Sequence, residues 1–160
     1  MLSIQIVCVG KLKETYWRAA CEEYAKRLSV FCRFQVIEVD EQRLPERPSS
    51  AQIAAALETE GTRILDKIPG GSCIIPLCIE GKGQTSEQLA QFLEHVAVMG
   101  GSSISFVIGS SWGLSPAVKQ AGRLRLSMSA MTFPHQLARV MLCEQIYRAF
   151  QINSGGKYHK

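Results

Sequence analysis

Residues 103–116 read Ser-Ile-Ser-Phe-Val-Ile-Gly-Ser-Ser-Trp-Gly-Leu-Ser-Pro, and this stretch decides the fold. The apolar run over 103–108 predicts a buried strand, and two glycines follow it. Ser115-Pro116 predicts a helix start, since proline is favoured in the first helical turn. A strand that passes through a glycine-bearing loop into a helix offers a ligand close approach to the backbone. An ordinary tight turn is the alternative.

The same alternation of strand and helix runs along the rest of the chain. Apolar periodicity and turn residues predict the other elements. These are strands over 2–9, 34–39, 73–79 and 124–128, and helices over 14–29, from about 50, from about 86 to the glycines at 100–101, and over 135–153. Five strands interleaved with helices predict an α/β fold with a parallel five-stranded sheet and helices on both faces.

Length and composition place the chain among soluble globular proteins. With 160 residues, 46% of them apolar, we expect one domain over residues 1–160. The longest apolar runs, such as 73–79, are far shorter than the ~20 residues of a membrane span. The first ten residues lack the basic flank of a secretion signal. We therefore expect a cytoplasmic protein that has no contact with a membrane.

The six cysteines do not form a metal motif. No C-x-x-C pair is present, and the three histidines lie apart from the cysteines along the sequence. Inert, buried thiols that fill the core are the more common outcome in such apolar stretches. We therefore expect no metal, and core positions for Cys8, Cys21, Cys32, Cys73, Cys78 and Cys143.

Charge is divided unevenly along the chain. Residues 1–107 carry 11 basic and 13 acidic side chains, a net charge of −2, whereas residues 108–160 carry seven basic side chains and Glu144 alone, a net charge of +6. The basic C-terminal third favours a polyanionic partner such as nucleic acid. A solvated basic surface is the alternative.

The last predicted helix is too apolar for a single inward face. Between residues 137 and 152, 11 of 16 residues are apolar or tyrosine, so the helix must be covered on more than one side. Either it lies deep in the monomer or it also packs against a second subunit. In a chain of this length we favour a homodimer.

In open α/β sheets, ligands bind beyond the carboxyl ends of the strands. Asp40 ends the second predicted strand, as the ribose-binding acid does in dinucleotide-binding folds. The glycine fingerprint of those folds is absent after the first strand, however, so this class is disfavoured. The 10–13 loop, Gly-Lys-Leu-Lys, also lacks the spacing of a phosphate loop, and we interpret it as a turn.

Two C-terminal segments have the composition of binding sites. Residues 126–135 form an extended, small and flexible stretch whose backbone can bind an adenine, with Met131 and Phe133 as apolar walls. The tail that ends in Tyr158, His159 and Lys160 follows a Gly-Gly pair and offers base stacking, proton transfer and phosphate contact. The alternatives are a core-filling connection for the first segment and a disordered end for the second.

Together and in this order, these segments resemble the ribosomal large-subunit pseudouridine N3-methyltransferases, small members of the SPOUT class (RlmH type). The resemblance covers essentially the whole chain. It begins at 6–13 (Ile-Val-Cys-Val-Gly-Lys-Leu-Lys) and includes Ile108-Gly109. Its most specific parts are Thr-Phe-Pro-His at 132–135, Tyr-Arg-Ala at 147–149 and Tyr-His-Lys at 158–160.

The resemblance implies a C-terminal trefoil knot, which periodicity alone does not predict. It further implies a homodimer, S-adenosylmethionine as the cofactor, and 23S rRNA in assembled ribosomes as the substrate. By position, the implied cofactor-binding residues are Leu77, Gly109, Met128, Ser129, Ala130, Met131, Thr132 and Phe133.

One residue departs from the family pattern. The family usually has a second glycine where this chain has Ser110. If that position required a positive φ angle, serine would strain the loop by ~1 kcal/mol or more.

Three residues are candidates for the catalytic groups. A sulfonium methyl donor is already activated, so the protein must align the acceptor nitrogen, exclude water and help remove the uracil N3 proton. We expect His159 to accept that proton or to orient the base, Tyr158 to stack or hydrogen-bond, and Arg139 to contact a carbonyl or phosphate. We expect His135 to serve packing at the helix start. A non-catalytic factor that binds ribosomes or RNA on the same scaffold is the alternative function.

Overall fold

The chain folds around a parallel sheet whose strands alternate with helices. A computed structural model describes all of residues 1–160. In chain order the elements are β1 (Ser3–Val9), α1 (Thr15–Leu28), β2 (Arg33–Val39), α2 (Ser50–Asp66), β3 (Cys73–Gly83), α3 (Ser86–Val98), β4 (Ser103–Ile108), α4 (Pro116–Ala121), β5 (Leu126–Ser127) and α5 (His135–Asn153). None of the helices combines the length and apolar character that crossing a membrane requires.

The strands stand in the order β2-β1-β4-β3-β5, and every neighbouring pair is parallel. β1 and β4 occupy the middle of the sheet, where Ile6 pairs with Val36 on one side and with Phe106 on the other. Six consecutive residues of β1 are buried, as expected for a strand that is covered on both faces. The predicted five-stranded parallel sheet is confirmed.

Helices cover both faces of this sheet. On one face, alternate residues of β1 and β4 pack with α1, α3 and α5, and Phe106 and Ile146 are fully buried there. On the other face, Val7 and Val107 pack with Ile64 of α2 and Val118 of α4. Each fully buried branched side chain of this kind contributes about 1.5–3 kcal/mol to stability.

The two strands at one edge differ from their predicted lengths. β3 continues to Gly83, beyond its apolar part, and β5 is reduced to two residues. Leu126 pairs with both Leu77 and Lys82, because the register shifts between those two positions. A side chain at Gly81 would bring its Cβ to 2.8 Å from the Arg125 carbonyl oxygen. The missing side chain therefore lets the two segments approach.

α5 lies between α1 and α3. Leu142 and Ile146 are fully buried on its inner side, and every residue from 136 to 152 is buried or half-buried. Near its C-terminal end, the Asn153 side-chain amide donates a hydrogen bond of 2.9 Å to the Ala90 carbonyl of α3. The prediction that this helix is covered on more than one side is confirmed within a single chain.

An ion pair between a buried arginine and a partly exposed glutamate attaches the first turns of α5 to the far edge of the sheet. The Arg139 guanidinium donates to Glu38 Oε2 of β2 at 2.8 Å and to the Gly10 carbonyl oxygen at 3.2 Å. Glu38 Oε2 also accepts the Leu12 backbone N–H at 3.0 Å. The Arg139 side chain is 7% exposed and the Glu38 side chain 34%. One carboxylate thus joins α5 to the loop that follows β1.

The six cysteines are all free and buried, which confirms their predicted place in the core. Burial raises the pKa of the Cys8 thiol to about 12 and that of the Cys32 thiol to about 11. Both thiols are therefore protonated at neutral pH and act as small apolar groups.

Replacing Glu38→Ala is expected to lower the free energy of unfolding by about 3 kcal/mol, because the buried Arg139 cation would lose its counter-ion. Urea unfolding followed by circular dichroism would measure the loss. Glu23→Ala is the matched control: it removes an ion pair with Arg27, with side chains 53% and 41% exposed, and should cost less than about 1 kcal/mol. Equal losses in the two variants would contradict a structural role for the buried pair.

Candidate functional site

A cavity of about 400 Å³ opens at the carboxyl edge of the sheet, within the size range of small-molecule sites. Its walls come from the ends of β3 and β4, from β5, and from the loops that follow β4 and β5. His135 and Ala138, on the first turn of α5, line one side of the opening. A cavity at this edge agrees with the general placement of ligands in open α/β sheets.

The cavity gathers most of the residues that were predicted to bind a cofactor. Ala130 is the one predicted residue that does not line it, and Asp40, the acid of the disfavoured dinucleotide class, does not line it either. The predicted residues that do line it are Leu77, Gly109, Met128, Ser129, Met131, Thr132 and Phe133.

The loop after β5 lines this cavity and forms no backbone–backbone hydrogen bonds. No N–H or carbonyl group from Met128 to Phe133 forms a hydrogen bond with another backbone group. Two side chains hold the loop instead: the Ser127 hydroxyl donates to the Ser129 carbonyl at 3.2 Å, and Ser129 Oγ accepts the Met131 N–H at 3.0 Å. The remaining backbone groups of the loop, which is exposed at residues 130–132, have no hydrogen-bond partner within the chain. This loop therefore has donors and acceptors available for a ligand.

The loop after β4 owes its shape to two glycines. A Cβ at Gly109 would lie 2.3 Å from the Gly113 carbonyl oxygen, so only glycine permits this approach. Gly113 adopts a φ of +94° and donates its N–H to the Ser110 carbonyl at 2.9 Å. Ser110 itself is buried, and no residue other than glycine has a positive φ. Ser110 therefore does not adopt the positive φ angle that would have strained the loop.

The rim of the cavity is apolar and exposed. Ile79 is 81% exposed, Met131 74% and Trp112 51%, and all three line the cavity. Lys119 forms an ion pair with Glu80 at the same opening. The hydrogen bond from Lys119 lowers the pKa of the Glu80 carboxyl, which keeps it ionised at neutral pH.

The C-terminal tail folds back onto α3 and α5. The Tyr158 hydroxyl donates to Glu144 Oε1 at 3.1 Å, and the Tyr158 ring packs edge-on against Tyr147 at 5.0 Å between centroids. His159 lies between Arg148, 3.1 Å from its Nδ1, and Glu87, 2.7 Å from its Nε2. Burial, followed by the bond to Glu144, raises the pKa of the Tyr158 hydroxyl.

The structure brings together two of the three predicted catalytic residues. Tyr158 and His159 share one cluster of contacts, whereas Arg139 points inward to Glu38 and Gly10. None of the three lines the cavity. A neighbouring cavity of about 410 Å³ shares Leu126, Ser127 and Met128 with the first and reaches Glu144, so it lies between the first cavity and the tail.

Sequence reasoning missed several residues of this region. Trp112 was inside the 103–116 stretch but was not assigned a role, although an aromatic residue between glycines after a strand is a usable signal. His135, which was assigned to packing, lines the cavity. The sequence around Glu87 and Glu144 did not indicate a role for either residue, because their contacts with the tail depend on how α3 and α5 pack.

Comparisons with known proteins agree on one family. Residues 2–159 match a family model described as "Predicted SPOUT methyltransferase". A Ligilactobacillus salivarius protein named ribosomal RNA large subunit methyltransferase H is 48% identical over 159 residues, which is 99% of this chain and all of the relative. A Bacillus cytotoxicus protein of the same name is 49% identical over the same shares. A solved structure, a probable methylase family protein from Haemophilus influenzae, shares the fold at 14% identity, with a TM-score of 0.55, over all of this chain and 72% of that one.

Gly109→Ala is expected to weaken binding of S-adenosylmethionine, the cofactor that the sequence resemblance implies. The added methyl group overlaps the Gly113 backbone, and such overpacking costs about 1–3 kcal/mol. Isothermal titration calorimetry would measure the change in Kd. Gly70→Ala is the control, because its Cβ meets nothing within 4 Å. Unchanged affinity in the Gly109 variant would show that this cavity does not hold the cofactor.

Proposed function

The chain belongs to the SPOUT methyltransferase family, and from this we propose that it methylates N3 of a pseudouridine in the 23S rRNA of the large ribosomal subunit, with S-adenosylmethionine as the donor. The observation that carries the proposal is the loop from Met128 to Phe133, whose backbone forms no hydrogen bond with other backbone groups, along a cavity at the carboxyl edge of the sheet. We infer a single domain over residues 1–160, a C-terminal trefoil knot, as family membership implies, and a cytoplasmic location.

The cavity residues fit the proposed cofactor. Backbone groups of the 128–133 loop can read the polar edge of an adenine, while Leu77, Met131 and Phe133 supply apolar walls. The sulfonium of the bound cofactor supplies an activated methyl group. Gly109 lets the Gly113 backbone approach closely and so shapes the opposite wall. The exposed rim residues Ile79 and Trp112 would exclude water once substrate covers them.

The tail residues are proposed to act on the acceptor base. The raised pKa of Tyr158 keeps its hydroxyl protonated at neutral pH, so Tyr158 can donate a hydrogen bond to a uracil carbonyl or stack on the ring, but does not act as the base. His159 remains the proposed residue for accepting or orienting the N3 proton. The flanking lysines, Lys157 and Lys160, are exposed and are proposed to contact phosphates.

Arg139 takes a different role from the one that the sequence suggested. Its guanidinium donates to Glu38 and to the Gly10 carbonyl, and its side chain is 7% exposed, so in this arrangement it points toward the core. We infer that Arg139 acts on the site through the position of α5, whose first turn carries the cavity residues His135 and Ala138.

The proposed activity predicts methyl transfer to ribosomal RNA by the purified protein. Ribosomes from cells that lack the protein should accept one radiolabelled methyl group per large subunit, and mass spectrometry of the digested RNA should place it on a pseudouridine. His159→Ala should reduce the single-turnover rate. If calorimetry detects no binding of S-adenosylmethionine at millimolar concentration while ribosome binding persists, the non-catalytic ribosome- or RNA-binding factor is the correct function.

We further propose that the protein works as a homodimer. Ala138 lines the cavity, whereas the Tyr158 hydroxyl binds Glu144, about 9 Å further along the α5 axis at 1.5 Å per residue. The tail therefore stands apart from the cavity of its own chain. Leu137 and Met141 of α5 are half-buried and lie outside the core clusters, so they offer an apolar surface for a second subunit.

The dimer predicts that two defective variants can complement each other. Sedimentation equilibrium at micromolar concentration should give twice the mass of the chain. A mixture of Gly109→Ala and His159→Ala subunits, refolded together, should recover part of the methylation rate if the tail of one subunit serves the cavity of the other. No recovery in proven mixed dimers would mean that each tail serves the cavity of its own chain. It would reach that cavity across the second cavity, which lies between the two. A monomer would contradict the dimer itself.

A further inference from the structure

We propose that Arg148 is a positioning residue that holds His159 as a neutral imidazole with its proton on Nε2, and at the same time holds the Tyr158 ring. The inference rests on the proposed function, in which the tail meets the target base. It assigns to α5 the task of ordering the tail before RNA binds.

The planar guanidinium of Arg148 makes three contacts, through one edge, through the remaining terminal nitrogen and through one face. One edge, Nε and Nη2, donates to Glu144 Oε1 at 3.0 and 2.7 Å. The remaining Nη1 lies 3.1 Å from His159 Nδ1. The face of the group lies over the Tyr158 ring, with Cζ 4.7 Å from the ring centroid. One cation thus contacts both tail rings and is itself fixed by a carboxylate on its own helix.

These contacts determine where the His159 proton lies. A guanidinium has donors only and stays protonated in proteins, so His159 Nδ1 must accept from Arg148 with its lone pair. The ring proton is then on Nε2, which donates to Glu87 Oε1 at 2.7 Å. The same hydrogen bond lowers the pKa of the Glu87 carboxyl and keeps Glu87 an acceptor. The imidazolium form and the Nδ1–H tautomer both conflict with this geometry.

The hydrogen bond from Arg148 restricts how His159 can act in the proposed chemistry. In the docked tail, the only lone pair of the His159 ring is occupied by Arg148, and a proton added there would place a second positive charge against the guanidinium. His159 can accept the N3 proton only if substrate displaces Arg148 from Nδ1. Otherwise His159 orients the base through its neutral ring. In both cases the ring geometry before substrate binds is set by Arg148 and Glu87.

The experiment compares Arg148→Met with Arg27→Met. Arg27 is a matched control, because it also pairs with a glutamate four residues earlier and stacks on Tyr147, but it does not contact the tail rings. Nitrogen-15 NMR of the histidine rings, with the His159 signals assigned by a His159→Gln variant, reports the tautomer. Single-turnover methylation reports function.

In the unsubstituted protein at pH 8, we expect His159 Nδ1 to be unprotonated and Nε2 to carry the proton. Arg148→Met should give a mixture of tautomers and a rate at saturating substrate that is about tenfold or more lower, while Arg27→Met should leave both unchanged. Arg148→Lys should recover part of the rate, since an ammonium can donate to one partner but cannot also stack as a plane.

Three results would overturn the proposal: an Nδ1–H tautomer in the unsubstituted protein, an unaltered tautomer in Arg148→Met, or a normal rate in that variant. If Arg148→Met does not fold, the tautomer of the unsubstituted protein and the Arg148→Lys variant decide instead. The NMR result does not require methyl transfer. An inactive unsubstituted protein with the expected tautomer would therefore contradict the proposed function and leave the positioning role standing.

Discussion

The ion pair between buried Arg139 and partly exposed Glu38 holds α5 against the sheet, and both halves of the candidate site depend on that helix. The first turn of α5 supplies His135 and Ala138 to the cavity, and its second half supplies Glu144 and Arg148 to the tail. A rotation or sliding of the helix would therefore move the cavity wall and the tail together. The spacing between the cavity wall and the tail of each chain is therefore set along one helix.

An ion pair with one buried partner suits this task for a physical reason. Burial of the Arg139 charge costs free energy that its attraction to Glu38 offsets, so the pair adds little net stability. The geometry of such a pair is tightly constrained, however, because displacement of one partner leaves a buried charge uncompensated. Apolar packing of Leu142 and Ile146 supplies the attraction of α5 for the core, and Arg139 adds a fixed register, since its guanidinium must meet Glu38 and the Gly10 carbonyl at once.

Local sequence patterns were sufficient for the order of elements and for the two loops that line the cavity, whereas individual cavity residues such as Leu77 and Gly109 were predicted from the family resemblance. Strand and helix periodicity identified the parallel sheet, and the position of the 126–135 stretch after a strand identified the cavity loop. The direction of Arg139 was not predictable. A cation on a helix next to a predicted site can face substrate or core, and the choice depends on Glu38, which is 101 residues away in sequence.

In the tail, too, local sequence predicted the kind of residues present but not the contacts that they make. The aromatic ring, the imidazole and the lysines at 157–160 suggested contact with RNA, but composition alone could not tell a disordered end from an ordered one. Arg148 indicates an ordered end, because it contacts both tail rings, whereas Lys157 and Lys160 are exposed. The tail thus separates two tasks: fixed rings can align with a flat base, while flexible ammonium groups adapt to phosphates whose positions vary. In the proposed function, such a division combines accurate placement of the base with electrostatic contacts that tolerate variation in the phosphate positions.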